Sequence, residues 1–221
     1  MIDVPGDEGR TQLSRWSELT GGDAGARYAS RFAELAAAGA DVHGEAGLCA
    51  DLVPVGSRVL DAGCGTGRVA VRLTELGYHC VGVDLDESML AEARRAAPGV
   101  PWIRADLASL DLPSHLSADG FDLIVAAGNV IPLLAPGTEP TVVGTLAARL
   151  RPGGLLVAGF GLDAAHLPLA SAPVDLAGYD GWCRAAGLVL QRRLATWDGD
   201  EYRGGGYAVS VHCRSAGASA R

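Results

Sequence analysis

The stretch VLDAGCGTGR, Val59 to Arg68, decides how the chain is read. A short apolar run closes on Asp61, and Gly63, Gly65 and Gly67 follow at alternate positions. Glycine-rich turns after strands usually cradle phosphates with backbone amides, at the start of the next helix. A carboxylate beside the first glycine would repel such a ligand. Glycines still serve a close-fitting ligand here, because without a Cβ they admit it to the backbone and take up positive φ.

Around this turn the chain alternates brief apolar runs with helical patterns. After VLDAG, a helix from about Gly67 to Leu76 shows Val69, Leu73 and Leu76 on one face. CVGVD follows, then a helix that Asp86 can cap and that Pro98-Gly99 ends. WIRAD, FDLIVAAG and GLLVAGF supply further strands, with a helix from near Thr138 leading to the turn Arg151-Pro152-Gly153-Gly154. Such runs lack period-two alternation, so helices cover both of their faces. The alternation implies an α/β fold with a doubly wound, Rossmann-like, mostly parallel sheet.

Both ends of the chain differ from this middle. Between Ala24 and Ala38, Tyr28, Phe32 and Leu35 stand at helical spacing, and a second short helix runs from Glu45 to about Leu52. Beyond a helix over about 175–186, LVLQRRLATW and YAVSVHCR read as an antiparallel pair added to the sheet edge. Tyr207, Val209, Val211 and Cys213 share one face of the second strand, and Gln191-Arg192-Arg193 reads as the solvated side of the first. One domain over 1–221 is expected, with a helical cap over about 11–54, a core over 55–214, and frayed ends in the first ten and last seven residues.

At 221 residues one core suffices, and 48% hydrophobic with 20% charged residues is the balance of a soluble globular chain. A net charge of −8 repels polyanions, so no nucleic-acid partner is expected. The five cysteines are scattered with no C-x-x-C pair, which disfavours a disulfide framework or zinc site and suits a reducing, cytoplasmic setting. MIDVPGDEGR lacks an apolar segment, so neither a signal peptide nor a membrane anchor is expected.

In an open parallel sheet, ligands sit beyond the carboxyl ends of the strands. Asp61, Asp84 and Asp106 fall at three such ends, offering their carboxylates to one crevice. A cationic amine, a ribose diol and an adenine amino group would suit them; a pyrophosphate would not.

VLDAGCGTGR, VGVDLDESML, Ala105-Asp106-Leu107, FDLIVAAGN and LRPGGLLV together resemble the class I S-adenosylmethionine-dependent methyltransferases, over Val59 to Cys213. The resemblance implies a seven-stranded sheet with an antiparallel terminal strand, S-adenosylmethionine as methyl donor and S-adenosylhomocysteine as product. It implies that Asp61 lies near the methionine amino group, and that Gly63, Gly65 and Gly67 form the glycine loop along the methionyl-ribose part. It further implies that Asp84 takes the ribose hydroxyls, Leu85 packs on the adenine, and Asp106 with Leu107 receives its amino group. Gly128 and Asn129 would border the methionine moiety and the acceptor. Apart from the resemblance, Tyr28, on the helix before the core, can close over the cofactor.

Each position has a plainer reading. Asp106 can cap the next turn, Asn129 can form a turn, Tyr28 can simply pack, and Cys64 reads as a small filler. Gly65-Thr66-Gly67-Arg68-Val69-Ala70 also fits the loose G-x-G-x-x-A frame of NAD(P)-dependent Rossmann oxidoreductases, with Asp84 as ribose acid. A cofactor-binding module without catalysis is a third reading. A hydroxyl acceptor would need a base, for which His166 and His43 are the candidates, while His79, His115 and His212 read as structural. The turn Ala127-Gly128-Asn129-Val130 departs from the N-P-P-Y type associated with exocyclic or amide nitrogens, so a small-molecule acceptor is expected, with a protein side chain second. The oligomeric state is not legible.

Overall fold

The computed structural model describes residues 13–215. Three helices come first: α1 (Arg15–Thr20), α2 (Gly25–Ala37) and α3 (Gly44–Leu52). The core then runs β1 (Arg58–Ala62), α4 (Arg68–Glu75), β2 (His79–Asp84), α5 (Glu87–Ala96) and β3 (Trp102–Arg104). After a 3-10 turn at Leu107–Ser109 come α6 (Ser114–Ser117), β4 (Phe121–Ala126), α7 (Val130–Leu133), α8 (Glu139–Arg149) and β5 (Leu150–Gly161). The chain finishes with α9 (Leu176–Ala185), β6 (Leu188–Leu194) and β7 (Tyr207–Arg214).

The seven strands lie in the order β3-β2-β1-β4-β5-β7-β6. The connections from β1 and β4 leave on opposite faces, so the crevice of the sheet opens above the carboxyl ends of these two central strands. Val59, Val69, Ala70, Leu73 and Leu90 belong to one apolar layer, and Leu60, Ile124, Val143, Leu146, Phe160 and Tyr179 to the other. Being covered on both faces explains why β4 is buried at every position and reads as an unbroken apolar run.

The C-terminal antiparallel pair extends the sheet at one edge, as the sequence reading expects, and the structure adds its internal order. β7 is antiparallel to both neighbours and sits inside the sheet between β5 and β6, so only β6 forms the edge. Ala208, Ser210 and His212 are therefore buried as well as Val209 and Val211, which the alternation could not reveal. Arg193 is not solvated: its guanidinium donates to both Asp180 oxygens at 2.6 and 2.7 Å, and also bonds Ser210. His212, 1% exposed, lies beside the same carboxylate, and burial pushes its pKa down to about 4, so the ring is a neutral structural group.

Two further differences concern boundaries. Arg151-Pro152-Gly153-Gly154 lies within β5 as an irregular entry, with a register shift against β4 between Phe121 and Leu123. Of the expected frayed ends, residues 1–10 and 216–221 fall outside the described residues, whereas Ser215 donates its amide to the Gly187 carbonyl at 3.2 Å.

Candidate active site

The glycine loop is shaped by its neighbours before any ligand arrives. The Gly63 and Cys64 amides both donate to the Val83 carbonyl at 2.8 and 2.9 Å, which folds the loop over the end of β2. A Cβ on Gly63 would stand 2.6 Å from a Val130 methyl, so only glycine passes there. Gly67 plays a different part from the one expected. It does not line the cleft; it caps α4 at φ 78° with its Cα against the Trp102 ring, which also covers Gly82.

Asp61 ends β1 at 2% exposure, and its Oδ2 accepts the Ala70 amide at 3.1 Å. Burial, opposed by that hydrogen bond and by Arg68, pushes its pKa up to about 7. Asp84, at the end of β2, accepts the Gly65 amide at 2.7 Å on one oxygen and the Asp86 amide at 2.8 Å on the other. Burial raises its pKa above the usual carboxylate value despite those bonds. Asp106 caps the 3-10 turn through the Ala108 amide at 2.8 Å and also lines the cleft.

These three carboxylates border one cleft of about 580 Å³. Gly63, Gly65, Leu85, Leu107, Gly128 and Tyr28 line it too. Leu85 is 40% exposed beside Asp84 as an apolar platform, while Leu107 is buried. The Tyr28 hydroxyl lies 3.8 Å from where a Gly128 Cβ would stand, and burial raises its pKa. Cys64 is a buried filler whose thiol burial pushes well above its ordinary pKa.

Asn129 turns away from the cleft. It adopts φ 70°, its Oδ1 accepts the Gly161 amide at 2.7 Å, and its Nδ2 donates to the His166 carbonyl at 3.1 Å. His43 is exposed at the start of α3, outside the cleft wall. His166 is outside that wall as well, with Nδ1 2.7 Å from Asp163 Oδ1.

The cleft has a roof that motif reading leaves out. Leu13, Ser14, Trp16 and Ser17, from α1 and the residues before it, line the cleft opposite the strand ends. Trp16 Nε1 donates to Asp86 Oδ2 at 3.0 Å, and Arg15 donates to Glu139 at 2.8 Å and to the Leu134 carbonyl at 3.0 Å. Burial alone would raise Asp86, but the bonds from Ser88, Trp16 and Met89 hold it below the usual carboxylate range. α2 docks on the same first turn of α5, with the Gly25 amide on Ser88 Oγ at 3.0 Å. Arg68, just past the glycines, is fixed by Glu45 at 2.5 and 2.7 Å, by the Val42 carbonyl, and by the Phe32 ring 4.6 Å away. Its place beside a glycine loop was the available signal; its acidic partner on α3 was not visible.

A buried carboxylate with a pKa near 7 accepts a cationic amine, two hydrogen-bonded aspartates offer their remaining lone pairs to hydroxyl or amino donors, and the leucines offer flat apolar surface. The cleft therefore fits an adenosyl amino acid with a positive charge. A phosphate would face Asp61 and Asp84.

Comparison with known proteins gives a consistent picture. A family profile described as a methyltransferase domain matches residues 59–154. The crystal structure of a TehB-like SAM-dependent methyltransferase from Corynebacterium glutamicum superposes with a TM-score of 0.75 at 32% identity, covering 86% of this chain and 97% of that one. The CcbJ methyltransferase from Streptomyces caelestis superposes at 0.67 with 25% identity, covering 78% and 90%. Glycine N-methyltransferase of Mus musculus is 34% identical over 113 residues, 45% of this chain and 39% of its own. The chain spans 39% to 57% of the length of the first curated relatives it matches.

Proposed function

We infer function from membership: the chain belongs to the class I S-adenosylmethionine-dependent methyltransferases, and we propose that its cleft binds S-adenosylmethionine and transfers the methyl group to a small molecule. One observation carries this reading, the meeting of Asp61, Asp84 and Asp106 from three successive strand ends in a single roofed cleft. The bound cofactor supplies an electrophilic methyl on a sulfonium and leaves as S-adenosylhomocysteine.

In this assignment Asp61 pairs with the methionine ammonium and Asp84 takes the ribose hydroxyls on the lone pairs left free by Gly65 and Asp86. Leu85 and Leu107 flank the adenine, and Asp106 receives its amino group. Gly63 and Gly65 let the ligand close on the backbone, while Gly128 and Tyr28 bound the methionine end. Gly67 and Asn129 act behind this layer, as supports. α1 excludes water over the cofactor, and placement of this kind supplies much of the rate in an in-line displacement. The same acids disfavour the nicotinamide alternative, whose pyrophosphate they would repel.

A small acceptor is supported by a cleft of about 580 Å³ that α1 helps to line, by the negative net charge of −8, and by the mouse relative's name, which denotes a small-molecule acceptor. A cytoplasmic setting is supported by five cysteines that are all unbridged. Among the described residues, no helix is long and apolar enough to cross a membrane.

Titration calorimetry tests the reading: the purified protein is expected to bind S-adenosylmethionine and S-adenosylhomocysteine with micromolar affinity. Asp84→Asn, which removes the charge and leaves one of the two backbone amides that Asp84 accepts without a partner, is expected to weaken both by roughly 100-fold, or about 2.7 kcal/mol. Absence of binding in the unaltered protein would overturn it.

A further inference from the structure

An α-amino acid head carries two charges, and Asp61 answers only the positive one. Among the described residues two cations line the cleft, Arg68 and Arg104. Arg104 stands at the end of β3, where its Nε donates to the Leu85 carbonyl at 3.3 Å, beside the adenine platform. Arg68 opens α4, the helix whose Ala70 amide holds Asp61. Its charge opposes the burial-driven rise in pKa at both Asp61 and Tyr28, which sets it at the methionine end.

A guanidinium can grip a carboxylate along two edges, Nη1 with Nη2 or Nη2 with Nε. Glu45 occupies the first, with Oε2 on Nη1 at 2.7 Å and Oε1 on Nη2 at 2.5 Å, and the Val42 carbonyl accepts from Nη1 as well. Among the described residues, no group accepts from Nε or from the second Nη2 hydrogen. The side chain is 15% exposed, so these donors are left for the cleft that Arg68 lines. The Phe32 ring, 4.6 Å from the guanidinium carbon, backs the group, which is therefore held in one orientation before a ligand arrives.

We propose that Arg68 receives the methionine carboxylate of the cofactor on the Nε–Nη2 edge that Glu45 leaves free, so that the cleft selects a zwitterionic adenosyl amino acid over its decarboxylated form. The inference rests on the methyltransferase reading and deepens it at the methionine end. Asp61 and Arg68 then flank the α-carbon of the ligand, an anion for its ammonium and a cation for its carboxylate. Glu45 already balances the charge of Arg68, so the selectivity comes from two directed hydrogen bonds of a fixed planar fork rather than from a free positive charge.

The test compares three ligands by titration calorimetry with no acceptor present: S-adenosylhomocysteine, its decarboxylated analogue, which keeps the ammonium, and 5′-methylthioadenosine, which carries neither charge. The unaltered protein is expected to bind S-adenosylhomocysteine at least ~10-fold more tightly than the decarboxylated analogue. Arg68→Met keeps an apolar stem against Phe32 and should bring those two ligands within ~2-fold of each other, with the affinity for methylthioadenosine within ~2-fold of normal. Arg68→Lys, which has the charge without the planar fork, should recover only part of the preference. A merely structural role would weaken all three ligands together and leave their ratios untouched. A ratio within ~2-fold in the unaltered protein, which needs no variant to fold, or a preference that survives Arg68→Met would overturn the proposal. Failure of the unaltered protein to bind any of the three would instead remove the methyltransferase reading, and this contact with it.

Discussion

With 2% of its surface exposed and one hydrogen bond from the Ala70 amide, Asp61 resists ionisation. Its pKa near 7 in the folded chain exceeds the unfolded value of about 3.9. The folded state therefore holds this proton more tightly, and the stabilisation is complete below about pH 4 and lost as pH rises towards 7. Ionising Asp61 without a partner costs on the order of 2–4 kcal/mol by that difference. Asp61→Asn is expected to raise the thermal midpoint of the cofactor-free protein at pH 8 and much less at pH 5, while weakening S-adenosylhomocysteine at least ~10-fold, about 1.4 kcal/mol. Calorimetry across pH checks both halves; a lower midpoint at pH 8 would contradict them. The aspartates were legible because an acid closing an apolar strand stands out. Gly67 and Asn129 were not, because their partners, Trp102 and the His166 carbonyl, lie far along the chain.

Elements show the same division. The helices of the core announce themselves by apolar spacing and caps, as α5 does with Asp86 accepting from Ser88 and Met89. α1 is six residues with none buried, so no periodicity marks it. Its place depends on polar bonds to distant residues, chiefly Trp16 to Asp86 and Arg15 to Glu139. Trp16→Phe keeps the ring's bulk and removes one of these ties. The expected result is faster release of S-adenosylhomocysteine in stopped-flow fluorescence, by several-fold, with global stability changed by about 1 kcal/mol or less. An unchanged release rate would show that α1 does not govern access to the cleft.

For the molecule as a whole, alternating buried strands and helices implied the doubly wound architecture, and the turn-rich segment implied a terminal antiparallel pair. That pair lies at the sheet edge as read, but its internal order was not legible: insertion of β7 beside β5 depends on which edge is open, and the hidden polar residues of its second face, Ser210 and His212, do not look like core. Removing residues 207–221 leaves β6 without its only strand partner among the described residues and β5 with an open edge. That truncated chain is expected to lose its cooperative melting transition and to aggregate, as seen by circular dichroism and size-exclusion chromatography; native-like melting would show β7 to be dispensable.

This sheet order also sets a schedule for biosynthesis. On a ribosome β6 appears before the strand that must separate it from β5, and direct pairing of those two would satisfy the wrong neighbours. The free edge of β5 is therefore closed last, by a strand that ends only at Arg214.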